Sequence, residues 1–462
     1  MAGSLDIPDE PPVAEASSLS RRRATLSRIS TSRPVAIGAG GNASLNGGTF
    51  SFGELWNSES DFDFVRLIYA NAQGGSTFAV AAASVAPTAT AALNDQPTDN
   101  AGVVIPYTQV TFNNGGMDVT IPDQLLAAVY TTPAPVMTLA FASLPGVATG
   151  ANPWTPRLVF SDWIPLTGRE RMDGGPGRLL SIRTLITGRQ NLIGINTKAP
   201  DGTDLSDPSS VTCRSYIKGF GAGDLVTGSP DFGIGQFLGF GIGLVYGVQF
   251  HTRVNAATVQ AMGDSILQGV GFRSGTGVRD HTGFATLCCA MASSPVRPVS
   301  FLQSACGGEP SLNFYQSAVN DLKHADVAVA LIQTWSGNDI SNSSTPIQSI
   351  AAADAAWGRA MSYGEAVRRQ GGMPVFLSAV PQATRMGSIG AEAARLSSVH
   401  RCADLASHGE FVLDLNGMLG DGAAIANYQA RCQSSDNMHL GTPAHYAVAN
   451  VLAPMIRSII GA

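Results

Sequence analysis

The chain has 462 residues, more than one hydrophobic core accommodates, since single cores stop growing beyond roughly 250 to 300 residues. Only 13% of residues are charged and the formal net charge is -6, so there is no chain-wide basic field to hold a polyanion, and nucleic acid is excluded as an expected partner. Apolar residues reach 44%, which excludes a wholly disordered chain.

Residues 1–33 are rich in Ser, Pro, Glu and Arg and lack periodic apolar positions, so a flexible leader is expected there. Arg21, Arg22 and Arg23 are followed by no apolar run of signal-peptide length, and no Sec-type signal is visible. Residues 34–254 carry short alternating or apolar runs between Gly, Asn, Asp and Pro clusters. The runs Phe62 to Tyr69, Met117 to Ile121, Val136 to Phe141, Leu158 to Ile164, Leu179 to Ile186 and Leu244 to Val254 predict strands of an all-β, sandwich-like accessory domain. Trp154, Trp163 and Tyr246 are candidates for flat aromatic surface, with burial in the β core as the alternative.

Three signals in this half fail on inspection. Gly38-Ala39-Gly40-Gly41-Asn42-Ala43 matches a dinucleotide fingerprint, but turn and strand signals follow where a helix is required. The acidic loop Asp201, Asp204, Asp207 lacks full calcium-ligand spacing. The apolar stretch Phe232 to Phe250 is interrupted by six glycines and reads as strands and turns, so no transmembrane segment is expected. Neither a metal nor an organic cofactor is expected.

From residue 255 to 462 the grammar changes. Strand-like runs (Thr258 to Met262, Val299 to Gln303, Val327 to Ile332, Pro374 to Val380, Phe411 to Leu415) alternate with helical ones (Thr282 to Ala292, Ser311 to His324, Pro346 to Arg369, Ala391 to Ser407, Pro443 to Ile459). That alternation predicts a three-layer α/β domain with a mostly parallel five-stranded sheet, its active site at the carboxyl ends of the strands. The six cysteines show no C-x-x-C pair and read as buried thiols; Cys402 with Cys432 is the first pairing to test for a disulfide.

Four turn motifs fall immediately after strands of this half. Gly263-Asp264-Ser265-Ile266 follows the first, where a strand-to-helix turn exposes a serine hydroxyl beside a free backbone N–H and Asp264 can hold the turn. Ala305-Cys306-Gly307-Gly308 follows the second and offers an unobstructed glycine N–H. Ser336-Gly337-Asn338-Asp339 follows the third, where Asn338 can present its amide to a developing oxyanion. Asp436-Asn437-Met438-His439 precedes the last helix and places a carboxylate and an imidazole on one short turn; none of the other six histidines has a comparable setting.

These blocks resemble, in order, those of the SGNH hydrolases, the GDSL esterase and lipase family, over about Ala256 to Ala462. The resemblance implies a triad of Ser265, His439 and Asp436, and an oxyanion hole formed by the N–H groups of Ser265 and Gly308 and the amide of Asn338. Two positions depart from the family pattern: Ser336 stands where the first glycine of G-x-N-D usually does, and the second block lacks its asparagine and offers Gly307 beside Gly308. The expected activity is serine ester hydrolysis through an acyl-enzyme, removing acetyl or other short acyl groups from a carbohydrate, with an acetylated polysaccharide as the candidate substrate. The alternatives are a broad carboxylesterase or lipase, an acyltransferase using the same triad, and a binding or particle-assembly protein with a degenerate hydrolase domain. Oligomeric state and location are left open.

Overall fold

After Asn255 the strand-forming runs are apolar without polar alternation, the pattern of strands buried on both faces. In the computed structural model five of them pair in parallel: β1 (Ala257–Met262), β2 (Val299–Gln303), β3 (Val327–Gln333), β4 (Met373–Leu377) and β5 (Val412–Leu413). Their order is β2-β1-β3-β4-β5. Every residue of β1, β2 and β3 is buried. The structure describes residues 23–27, 35–36, 49–58, 62–71, 88–94, 108–120, 157–166, 178–187, 193–196, 214–220, 242–243, 245–269, 283–305, 310–340, 345–382, 389–422, 428–434 and 438–461.

The helices between and after these strands are α1 (Ser265–Gln268), α2 (Phe284–Ala292), α3 (Ser311–Leu322), α4 (Pro346–Arg369), α5 (Ile389–Ser407), α6 (Leu415–Leu419) and α7 (Thr442–Ile460). Side chains alternate across the sheet with period two. Val259, Ala261, Val329, Leu331 and Val375 pack under α2 and α7 with Phe284, Leu287, Leu452 and Ile456. Met262, Ala330, Ile332 and Phe376 face the other way, against Phe314 and Ala318 of α3 and Tyr363 and Val367 of α4. Fully burying one such side chain stabilises by roughly 1.5 to 3 kcal/mol, so these two interfaces, rather than helix capping, hold the layers. Capping sets the boundaries: Thr345 and Gln348 close a capping box at the start of α4, with Pro346 at its first turn.

Two expected strands end early. The apolar run after Pro374 leaves the sheet at Leu377, and residues 378–382 continue over its carboxyl edge. The run from Phe411 yields to Asp414, whose side chain accepts from the Gly417 N–H and starts α6.

Among the described residues before Ser265 there are strands and no helices. Arg23–Ser27, Val245–Thr252, Phe62–Asn71 and Arg157–Phe160 pair antiparallel in that order, with Ile164–Pro165 on Phe62–Asn71. A second antiparallel sheet runs Arg214–Phe220, Thr49–Ser58, Arg178–Thr187, Thr88–Asn94 and Thr108–Gln109. The Tyr69 hydroxyl, 2.8 Å from Thr184 Oγ1, joins the two. Residues 1–33, expected as a flexible leader, therefore contain a strand: Arg23–Ser27 pairs with Ser27 opposite Gly247 and Arg23 opposite His251. Its partner lies more than two hundred residues away, so no local periodicity announces it. The glycine fingerprint at residues 38–43, the acidic loop at 201–207, the run 136–141 and Trp154 lie outside the described residues. No helix among the described residues is long and apolar enough to cross a membrane.

The β-rich half meets the α/β half at the amino edge of the parallel sheet. Val245–Thr252 leads through residues 253–256 into the amino end of β1. The Gln249 side chain donates to the carbonyl of His324, just past the carboxyl end of α3, and the Phe160 ring lies 4.8 Å from that of His324. Arg66, almost fully buried, bonds Gln249 Oε1 and lies over the rings of Phe160 and Trp163, each 4.8 Å from its guanidinium carbon. Trp163 is itself buried, which removes it as a surface platform.

Candidate active site

Ser265 opens α1 directly after β1. The turn is tight: a Cβ on Gly263 would stand 2.5 Å from Gln333 Oε1 and 2.6 Å from Leu267 Cδ1, so any larger residue would have to displace both side chains. Asp264, 4% exposed, caps the turn through Oδ1, which accepts from the Ile266 N–H at 2.9 Å. Its own N–H donates to Gln333 Oε1 at 3.0 Å. Its other oxygen, Oδ2, accepts from the Ser336 hydroxyl at 2.7 Å and lies 3.5 Å from Asn338 Nδ2.

Asn338 sits on the single 3-10 turn Gly337–Asp339 at the carboxyl end of β3. Ser336 caps that turn: its Oγ accepts from the Asn338 N–H at 3.2 Å. The neighbouring Asp339 accepts from the Ser311 N–H, at the start of α3, at 3.0 Å. Arg359 donates to the Ser311 hydroxyl at 2.7 Å. Burial pushes the Asp339 carboxyl up from 3.8 to about 6, against the lowering effect of the Ser311 hydrogen bonds and Arg359 and with a further push from Asp264.

The imidazole arrives from the far end of the chain. His439 Nε2 lies 2.9 Å from Ser265 Oγ, across 174 positions of sequence. An isolated antiparallel bridge between Gln433 and Leu440, with Ser434 N–H donating to the His439 carbonyl, makes a hairpin that carries the histidine over the sheet edge. Buried Gln382 donates from Nε2 to the Met438 carbonyl at 2.5 Å. Tyr428, also buried, lies 3.4 Å from the same oxygen.

The structure thus brings Ser265, His439 and the Asp264–Ser336–Asn338 group together at one rim. Asp436, Gly307 and Gly308 lie outside the described residues, as does the side chain of Tyr246. A cleft enclosing about 400 Å³, its open mouth included, runs beside Ser265 and is lined by Gly337, Leu377, Ala379, Val380, Gln382 and Leu415 among others. Gln382 has no motif in the sequence; its one signal is a polar residue just beyond the carboxyl end of a predicted strand. Cys402 and Cys432 are free and buried, so the disulfide that their order offered is not formed. Burial raises the Cys402 thiol to about 11, which makes it inert. Among the described residues no group of three or more His, Cys, Asp or Glu is placed to hold a metal.

No protein-family model matches the chain, and no curated protein matches its sequence. Solved structures do. A lipase/acylhydrolase from Enterococcus faecalis is 13% identical, with 44% of this chain and 96% of that one covered at a TM-score of 0.33. A GDSL-like lipase from Bacteroides thetaiotaomicron is 12% identical over 44% of this chain and 88% of that one, TM-score 0.33. The aryl esterase of M. smegmatis is 14% identical over 44% of this chain and 99% of that one, TM-score 0.31. The chain is therefore similar, over a little under half its length, to lipolytic hydrolases of the G-D-S-L kind.

Proposed function

We propose that the protein is a serine ester hydrolase working through an acyl-enzyme at Ser265. The observation that carries this reading is the 2.9 Å approach of His439 Nε2 to Ser265 Oγ at the carboxyl rim of the sheet. A hydroxyl and an imidazole in hydrogen-bond reach form the activated-nucleophile pair that acyl transfer needs. In the proposed scheme His439 takes the Ser265 proton as Oγ attacks the ester carbonyl, and Asp436 orients the ring. The N–H groups of Ser265 and Gly308 and the amide of Asn338 receive the charge on the carbonyl oxygen. His439 then protonates the leaving alcohol, and water activated by the same imidazole releases the acyl group.

The acyl group is proposed to be short. The wall of the cleft that Leu377, Ala379, Val380 and Leu415 supply beside Ser265 is apolar, which suits an acetyl or similar methyl-bearing group. A carbohydrate hydroxyl as the alcohol is the finer proposal; it rests on the β-rich half, read as a sandwich, that precedes the α/β half. Buried Trp163 lends it no support. A series of activated acetyl, butyryl and octanoyl esters beside an acetylated polysaccharide tests both parts. The reading expects turnover to fall steeply beyond butyryl and acetate to be released from the polymer. Equal rates across the chain-length series would remove the short-acyl assignment.

A further inference from the structure

We infer that Asp264 and Ser336 form a positioning couple that orients the Asn338 amide as an oxyanion donor, an inference that rests on the ester-hydrolase reading above. A side-chain amide has two ends of nearly equal shape, one donating and one accepting. Only the N–H end stabilises an oxyanion; rotated by half a turn, the same side chain would point its carbonyl oxygen at the developing charge. A residue serving there needs a partner that selects one rotamer. Asp264 Oδ2 accepts from the Ser336 hydroxyl and faces Asn338 Nδ2 as an acceptor, so it admits the amide in one sense only. One of the two Nδ2 hydrogens then faces Asp264.

At 3.5 Å that contact is too long to fix the amide alone. Ser336 completes the arrangement. Its hydroxyl donates to the same Oδ2 at 2.7 Å and accepts from the Asn338 backbone N–H at 3.2 Å, which fixes the turn that carries the amide against the carboxylate that selects its rotamer. Ser336 has no exposed surface and Asp264 almost none, so water does not compete for these bonds. Because Oδ1 holds the Ile266 N–H, one carboxylate sets both the nucleophile turn and the oxyanion donor. A glycine at position 336 offers neither bond, so this serine does work that a glycine there would leave undone.

The test is a double-mutant cycle on the full chain with an activated acetate ester. Ser336→Ala is expected to lower kcat about tenfold, with KM within about twofold, as small misplacements of a catalytic group do. Ser336→Thr, which keeps a hydroxyl, is expected to restore most of the loss. In an Asn338→Ala background Ser336→Ala should cost little more, because it acts through Asn338. Asp264→Asn, nearly isosteric, serves as the second variant and should lower kcat by more than Ser336→Ala, since an amide at 264 can donate to the wrong end of Asn338. A wild-type kcat in folded Ser336→Ala or Asp264→Asn, a loss confined to KM, or a full loss persisting in the Asn338→Ala background would overturn the inference. Failure of the underlying reading is separable: the wild-type protein would then hydrolyse no ester and take no fluorophosphonate at Ser265.

Discussion

The side-chain amide of Gln382 donates to the main-chain carbonyl of Met438, the residue before His439. It ties the segment leaving β4 to the hairpin that carries the imidazole, and with Tyr428 near the same carbonyl it fixes how far that hairpin reaches over Ser265.

Gln382→Ala is therefore expected to lower kcat by roughly 10- to 100-fold, the cost of a misplacement of about 1 Å. Fluorophosphonate inactivation should slow in parallel, since it uses the same pair. Unchanged inactivation with a higher KM would mean that Gln382 binds substrate from the cleft wall instead.

Asn338→Ala tests the oxyanion assignment itself. Its amide is assigned to charge that exists mainly in the transition state, so kcat should fall by roughly 10² to 10³ with little change in KM. A loss confined to KM would make it a substrate-binding group.

Asp339 gives a pH signature. Its folded-state value of about 6 lies above the ordinary 3.8, so between about pH 4 and 6 the folded protein holds more of this proton than the unfolded chain. The contribution to stability is complete below about pH 4 and is lost as pH rises through about 6. Asp339→Asn, which keeps an acceptor for Ser311, removes that slope. Urea midpoints measured from pH 4 to 7 should show the variant gaining on wild type up to about pH 6 and holding level above it. A constant offset would refute the raised value.

Arg66 tests whether the two halves of the molecule have separate roles. Its guanidinium joins Phe160, Trp163 and Gln249 at the amino edge of the parallel sheet, away from the carboxyl rim. Arg66→Ala is expected to lower Tm by several degrees through a lost buried network, while kcat on a small acetate ester stays within about twofold. A large fall in kcat in the folded variant would show that the β-rich half shapes the catalytic rim.

The α/β layout was legible because its strands and helices differ in period, and β2 and α4 match their expected bounds at both ends. The approach of Ser265 and His439 was legible because each stands in a short motif at a strand or helix end. The end of β4 was not, because Ala379 and Val380 are apolar for a different reason: they line the cleft, and hydrophobicity does not distinguish a sheet interior from a pocket wall. Gln382 and the strand Arg23–Ser27 were hidden because their partners come from distant sequence, Met438 in one case and Val245–Thr252 in the other. Ser336 was visible only as a departure from a pattern; its bond to Asp264 exists only once β1 and β3 lie side by side.

Whether Ser265 is the nucleophile that His439 activates is decided by turnover of an activated acetate ester by Ser265→Ala, with mass-spectrometric location of the fluorophosphonate adduct in the wild-type protein. A single adduct on Ser265 and a loss of kcat of about 10⁴-fold or more in the folded variant are expected. An adduct on another residue, or a variant that keeps a tenth of wild-type kcat, would contradict it.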